Sequence, residues 1–229
     1  MDTIIEKLGI YEIFTVLGAG IISNVLWYFA SGGEYKIISL NKSKEIDIFI
    51  GLIICYICGL ILQEVSSFLD DKIFKFRKNA RKNILKNNKI IKNKTELKLY
   101  RKLAKKSLNK KNLYFSDEDN ETFYFIAKTY LERHSDNSKI SRINSIYGMS
   151  RSVALASIIA IPFTVVSYIL FMPKFLLFGE NIYSVIAFIV LEIMISVLFD
   201  YRASRFAKYK ARAIVRYYYD EIKSKLKDK

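Results

Sequence analysis

The residue with most to explain is Glu192, the one charge in the apolar run Asn181 to Phe199. A carboxylate at that depth of an apolar helix costs at least about 2.5–3.5 kcal/mol to place in lipid, so it must face a protein interior or water. Ser184, Phe188, Glu192, Ser196 and Asp200 recur every fourth residue, which on a helix sets Glu192, Ser196 and Asp200 in line. Three chemistries are open to such a face. It can line an ion path, it can pair Glu192 with a cation such as Arg151 or Arg202, or it can hold a protonated carboxyl in a packed interface. Asn24, Gln63 and Glu64 are the other polar groups of this kind, and they commonly bridge helices by hydrogen bonds worth on the order of 1 kcal/mol.

Other chemistry is scarce. Cys55 and Cys58 have the CxxC spacing of redox and metal sites, but no further ligand type surrounds them, and packing is the expected role. His134 is the sole histidine, set between Arg133 and Asp136, and reads as a solvated helix end. Neither a Gly-rich phosphate loop nor a nucleophile with its base is recognisable, so no enzyme, metal centre or cofactor is expected.

The elements that must position these residues follow from segregation. The chain has 229 residues, 52% apolar and 26% charged, with 37 Lys+Arg against 22 Asp+Glu, and the two classes lie in separate blocks. Ile13 to Gly33 carries no charge, nor does Ile48 to Gln63, which resumes after Glu64; Ser152 to Pro173 is uncharged, and Asn181 to Phe199 holds only Glu192. A membrane span needs about 20 such residues, so four spans are expected. Gly18, Ala19, Gly20 and Ser23, then Gly51 and Gly59, then Ser152, Ala156 and Ala160 form small faces that permit close helix approach, while Pro162 is a potential kink. The start MDTIIEKLGIYE is net negative and the first apolar run is longer than a signal-peptide core, so the first helix is expected to be retained.

Basic residues fix the expected orientation. Ser66 to Arg151 holds 22 basic and 9 acidic residues and Tyr201 to Lys229 holds 10 and 3, whereas the segments Gly32 to Asp47 and Met172 to Asn181 are nearly neutral. By the positive-inside tendency, both termini and the insert are cytoplasmic. The expected organisation is a transmembrane hairpin over 10–69, a basic helical insert over 70–150, a second hairpin over 151–200 and a basic C-terminal helix over 201–229.

Within the polar parts, the second span is expected to run on as a helix through LQEVSSFLDDKIFKFRKNARKNILK, where no Gly or Pro stops it. Leu97, Tyr100, Leu103, Ala104 and Leu108 give a basic amphipathic helix. Ser116 ahead of Asp117, Glu118 and Asp119 is an N-cap, and Phe123, Ile126, Ala127, Tyr130 and Leu131 stripe the helix it opens as far as His134. Ser138 starts a helix that feeds the third span, and the fourth span continues unbroken through DYRASRFAKYKARAIVRYYYDEIKSK. Arg101, Lys102, Lys105, Lys106, Arg205, Arg212 and Arg216 are the candidate binding surface. Its partner is anionic lipid of the inner leaflet, an acidic protein, or a nucleic acid met by the Tyr217 to Tyr219 run.

In the segments GLILQEVSSFLDDKIFKFR, INSIYGMSRS and YRASRFAKYKARAIVRYYY the chain resembles small bacterial four-span proteins of antiphage-defence and CRISPR-accessory systems, of the Kiwa membrane-subunit type. The likeness is one of layout over most of the chain, and no residue's role is carried over from it. It implies an oligomeric inner-membrane sensor or effector working with a cytoplasmic partner. The expectation is therefore an all-α polytopic protein whose cytoplasmic helices bind a partner and whose spans alter membrane permeability. A non-conducting scaffold for a soluble effector and a small-solute transporter or channel are the alternatives.

Overall fold

A computed structural model of the chain describes residues 2–31, 44–72, 80–86, 90–134, 138–171 and 182–227. The loops between the first and second and the third and fourth expected spans fall largely outside these residues, as does part of the expected continuation after the second span (73–79). Six long helices make up the described chain: α1 (Asp2–Ala30), α2 (Lys44–Lys72), α3 (Lys94–Ser107), α4 (Asp117–His134), α5 (Ser138–Phe171) and α6 (Ile182–Lys227). Among the described residues there is no strand, and α1, α2, α5 and α6 are each long and apolar enough to cross a membrane. The fold is all-α and polytopic.

The chain divides into two compact units, residues 1–69 with 145–203, and residues 70–144 with 204–229. The first gathers the apolar parts of α1, α2, α5 and α6. Its outward surface carries large apolar side chains such as Phe14, Phe49, Ile61, Phe68, Ile169 and Met194, each more than half exposed. Water would not tolerate a belt of this size, and lipid would. Its interior is built from small and polar residues, including Ala19, Ser23, Asn24, Ala156, Ser157, Ala160 and Thr164. Close approach is most evident between α1 and α2. A Cβ on Gly20 would fall 1.7 Å from the Cys55 carbonyl oxygen, and one on Gly59 would fall 2.1 Å from that of Val16. By contrast Gly51 faces open space, and Gly18 has only ordinary room beside Met149. Pro162 sits within α5 at an exposed position and does not end the helix. It removes only the N–H that would bond the Ile158 carbonyl.

The second unit has its own core. Leu97, Tyr100 and Ala104 of α3, Phe123, Tyr124, Ala127 and Leu131 of α4, and Ala211, Ile214, Val215 and Tyr218 of α6 are buried together with Ile84, Leu85, Ile90 and Ile91. Each fully buried large side chain contributes about 1.5–3 kcal/mol. Of the expected stripes, Leu97, Tyr100, Ala104, Phe123, Ala127 and Leu131 are buried and Leu103, Leu108, Ile126 and Tyr130 pack half-buried against them, with Tyr124 added at 2% exposure.

Local signals set the helix ends. Asn93 opens α3, its side-chain oxygen accepting from the amides of Thr95 (2.9 Å) and Glu96 (3.4 Å). The helix closes where Asn109 turns to a φ of 50°, with the Lys110 amide bonded to the Lys105 carbonyl and the Asn109 amide to that of Lys106. That is the Schellman arrangement, in a conformation asparagine tolerates. Ser116 and Asp119 cap α4 reciprocally: the Ser116 hydroxyl accepts from the Asp119 amide at 3.2 Å, and Asp119 accepts from the Ser116 amide at 2.7 Å.

Residues on either side of the hairpin formed by α5 and the first half of α6 share this second core.

Candidate functional site

The stripe on α6 faces inward. Ser184, Phe188 and Glu192 are buried, Ser196 is 9% exposed, and Asp200 is half-buried and holds a partner. Glu192 itself is fully buried, its Oε1 accepting the Thr164 hydroxyl of α5 at 2.9 Å. Its Oε2 meets no hydrogen-bond partner among the described residues. The cations considered as partners are engaged elsewhere. Arg151 donates to the Gln63 carbonyl at 3.1 Å and lies over the Tyr147 ring, while Arg202 lies over the Phe199 ring.

Around the stripe the buried hydroxyls bond mostly within their own helices. Val185 and Phe188 pack with Ala30 and Ala160, bordered by Trp27, Phe29, Tyr168 and Ile189. The Trp27 indole donates to the Ala156 carbonyl at 3.4 Å, and the Ser23 and Ser157 hydroxyls donate to carbonyls of their own helices, Ala19 and Val153. Asn24 bridges as expected: its amide donates to the Gly20 carbonyl at 2.9 Å and to the Cys55 Sγ at 3.6 Å. Cys55 is buried and Cys58 half-buried, both as free thiols. Glu64 differs from Asn24. Its side chain is exposed on α2 and joins no buried site.

Thr164 is the functional partner that sequence reasoning missed. It was nonetheless signalled, because it extends the small face Ser152, Ala156, Ala160 by one further step of four.

The basic candidates separate into two groups. Arg101 is structural: its guanidinium donates to the Leu85 (2.8 Å) and Lys86 (2.9 Å) carbonyls and closes the 80–86 turn. Arg212 pairs with Glu96 at 3.0 Å inside the second unit. Burial pushes the Glu96 carboxyl up, but the hydrogen bond from Tyr100 (2.6 Å) and the Arg212 cation outweigh it and hold the group below its ordinary range. Burial and that same bond push the Tyr100 phenol well above its own range.

Lys102 and Lys106 are exposed, and with Lys94 and Lys98, also exposed, they form a line at steps of four along α3. Lys105 is half-buried. Arg205 reaches the Tyr209 hydroxyl at 3.0 Å and Arg216 lies 4.0 Å from Asp220, both at exposed positions. The tyrosine run serves the core. Tyr218 packs edge-on against Phe123 and Tyr130, and Tyr219 against Tyr100. His134 ends α4, stacked on Tyr130 with its Nδ1 at 3.0 Å from the Tyr130 carbonyl.

Asn120, fully buried, is a further structural residue that sequence reasoning missed. Its amide donates to the Lys82 (2.8 Å) and Ser116 (2.9 Å) carbonyls, tying the 80–86 turn to the start of α4. Among the described residues no group of His, Cys, Asp and Glu is placed to hold a metal ion. No protein-family model, no curated protein and no solved structure matches this chain.

Proposed function

We propose that this chain is an oligomeric sensor-effector of a bacterial cytoplasmic membrane, in which the basic unit binds a partner and the span bundle answers by changing permeability. The observation that carries this reading is the continuity of α6. One unbroken helix of 46 residues contributes Glu192 to the apolar interior and Ala211, Ile214, Val215 and Tyr218 to the polar core. A tilt or rotation imposed at one end of such a rod is felt at the other, and a bistable packing around Glu192 turns that motion into opening. The surplus of Lys and Arg in 66–151 and 201–229 supports a cytoplasmic position for the polar unit. A defence setting draws its support from the likeness in layout to antiphage four-span proteins.

Membrane depolarisation in expressing cells tests the reading. Insertion of three glycines between Ala203 and Ser204, which breaks the rod, and the substitutions Glu192→Gln and Glu192→Leu each change the ion flux of the wild type. Unchanged flux in all three removes the permeability role.

The exposed lysine line favours a second reading, a non-conducting scaffold. Like charges at i,i+4 cost a helix about 0.2–0.5 kcal/mol per pair, so Lys94, Lys98, Lys102 and Lys106 are stabilised by an anionic partner. In that case Lys98→Glu, Lys102→Glu and Lys106→Glu together abolish partner recovery, while the glycine insertion leaves it intact.

A further inference from the structure

Glu192 is a fully buried acid on the spans to which the described residues supply no opposite charge. A hydroxyl reaches one oxygen and nothing among the described residues reaches the other. An ionised carboxylate so placed loses most of its hydration, and a single hydrogen bond does not replace it.

The rest of the bundle does not close that gap. On α6 the buried neighbours are Ser184, Phe188 and Ser196, and the charged group two turns on, Asp200, is itself acidic. On α5 the polar groups near Thr164 are Ser157, whose hydroxyl is committed to the Val153 carbonyl, Ser167 and the phenol of Tyr168. From α1 the buried polar groups are Asn24, whose amide nitrogen donates to Gly20 and Cys55 while its Oδ1 meets no partner among the described residues, and Ser23, committed to Ala19. On α2 the buried titratable groups are the Cys55 thiol and, at the C-terminal end of the helix, the Asp70 carboxyl, which is itself acidic and holds a partner. Arg151 and Arg202 stand about 20 Å and 15 Å of helix rise away from Thr164 and Glu192, and both are occupied at other groups.

We propose that Glu192 is a proton-binding site, a carboxylic acid that carries its proton on Oε2 while Oε1 accepts the Thr164 hydroxyl. A proton fits this site better than a metal ion does, because a hard cation asks for on the order of six oxygen ligands, and among the described residues no group of acids, histidines and cysteines is placed to hold one. Release sends the proton to water and leaves the electron pair on the carboxylate. A bare charge then stands in an apolar interface, which favours any α5–α6 arrangement that lets water or a counter-ion reach Oε2. This deepens the α6 reading by naming a ligand for it. The inference rests on that reading for its consequence, though not for the site itself.

Infrared difference spectroscopy of the full chain in lipid bilayers at pH 7 tests the proposal. The expected result is a protonated-carboxyl C=O band that is absent in Glu192→Gln and moves to higher frequency in Thr164→Val, which removes the donor. Carboxylate bands in its place, or an acid band indifferent to both substitutions, overturn it. So does loss of the band on exchanging potassium for sodium at constant pH, which would mark an alkali-ion site.

Reaction with N,N′-dicyclohexylcarbodiimide gives a second readout that does not depend on Glu192→Gln folding. The acid proton passes to a carbodiimide nitrogen, the carboxylate oxygen bonds to the central carbon, and the acyl group shifts to nitrogen with nothing lost. A single adduct at Glu192 is expected, and an unmodified Glu192 overturns the proposal. If the band and adduct are present but Glu192→Leu leaves flux unchanged, the proton site stands and the permeability role falls. If band and adduct are absent, the site falls whatever the flux.

Discussion

Asp119 shows how much one side chain does at a helix start. It accepts from the Ser116 amide and hydroxyl and pairs with Lys110, and that pairing, with the cap, holds its carboxyl below the ordinary carboxylate range. Glu96 is held low as well, by Tyr100 and Arg212 against the opposing effect of burial. A carboxyl whose folded-state pKa is depressed stabilises the fold above its unfolded pKa, which is about 4, and that stabilisation is lost as pH falls through the folded value. The polar unit therefore loses stability on acidification below about pH 4. In Asp119→Asn with Glu96→Gln the loss is shallower, and circular-dichroism melts between pH 3 and pH 7 report it. Parallel curves for the wild type and the double variant would contradict the assignment.

Residue-level legibility in the sequence was uneven for a physical reason. Ser116 announced its cap because hydroxyl and acids stand in adjacent positions. Asn93 and Asn120 were not foreseen, because an asparagine amide looks the same in a loop, at a cap or buried against carbonyls. Arg101 looked like a free surface cation because its carbonyl partners lie 15 and 16 residues back in the chain.

For the helices, the α1–α2 crossing is the most exacting feature. Gly20 and Gly59 leave no room for a side chain against the Cys55 and Val16 carbonyls, which are backbone and cannot rotate away. Gly20→Leu and Gly59→Leu separate the helices and cost about 1–3 kcal/mol each or more, whereas Gly51→Leu, on an open face, is close to neutral. Thermal unfolding in detergent checks this, and equal melting points for the Gly20 and Gly51 variants would contradict it.

Spans, amphipathic stripes and the continuity of α6 were legible because hydrophobic period and length carry them, whereas the helix expected to run on from the second span to Lys86 gives way to turns at 83–86. What each face met was not. The small residues of α1, α2 and α5 advertised close packing without naming partners, so Thr164 was passed over although it stands in register with Ala160. The unit boundary also falls at Ser145 and not near Arg151. The apolar run of α5 begins late, but buried residues such as Ser145 and Ser150 precede it.

At the scale of the whole molecule, the apolar unit exposes its large hydrophobic side chains outward while the polar unit builds a core from two stretches separated by a helical hairpin. Leu97 and Phe123 share that core with Ile214 and Tyr218. The surplus of Lys and Arg in 66–151 and 201–229 is what supports the proposed topology, with both basic stretches on the cytoplasmic side.

Single cysteines at exposed positions give the most direct test of that topology. In a background with Cys55→Ala and Cys58→Ala, Lys102→Cys reports on α3 and Lys223→Cys on the end of α6. A membrane-impermeant maleimide applied to intact cells is expected to spare both, and applied to inside-out vesicles to label both. Labelling of one and not the other in either preparation would contradict the shared side and the four-span account with it.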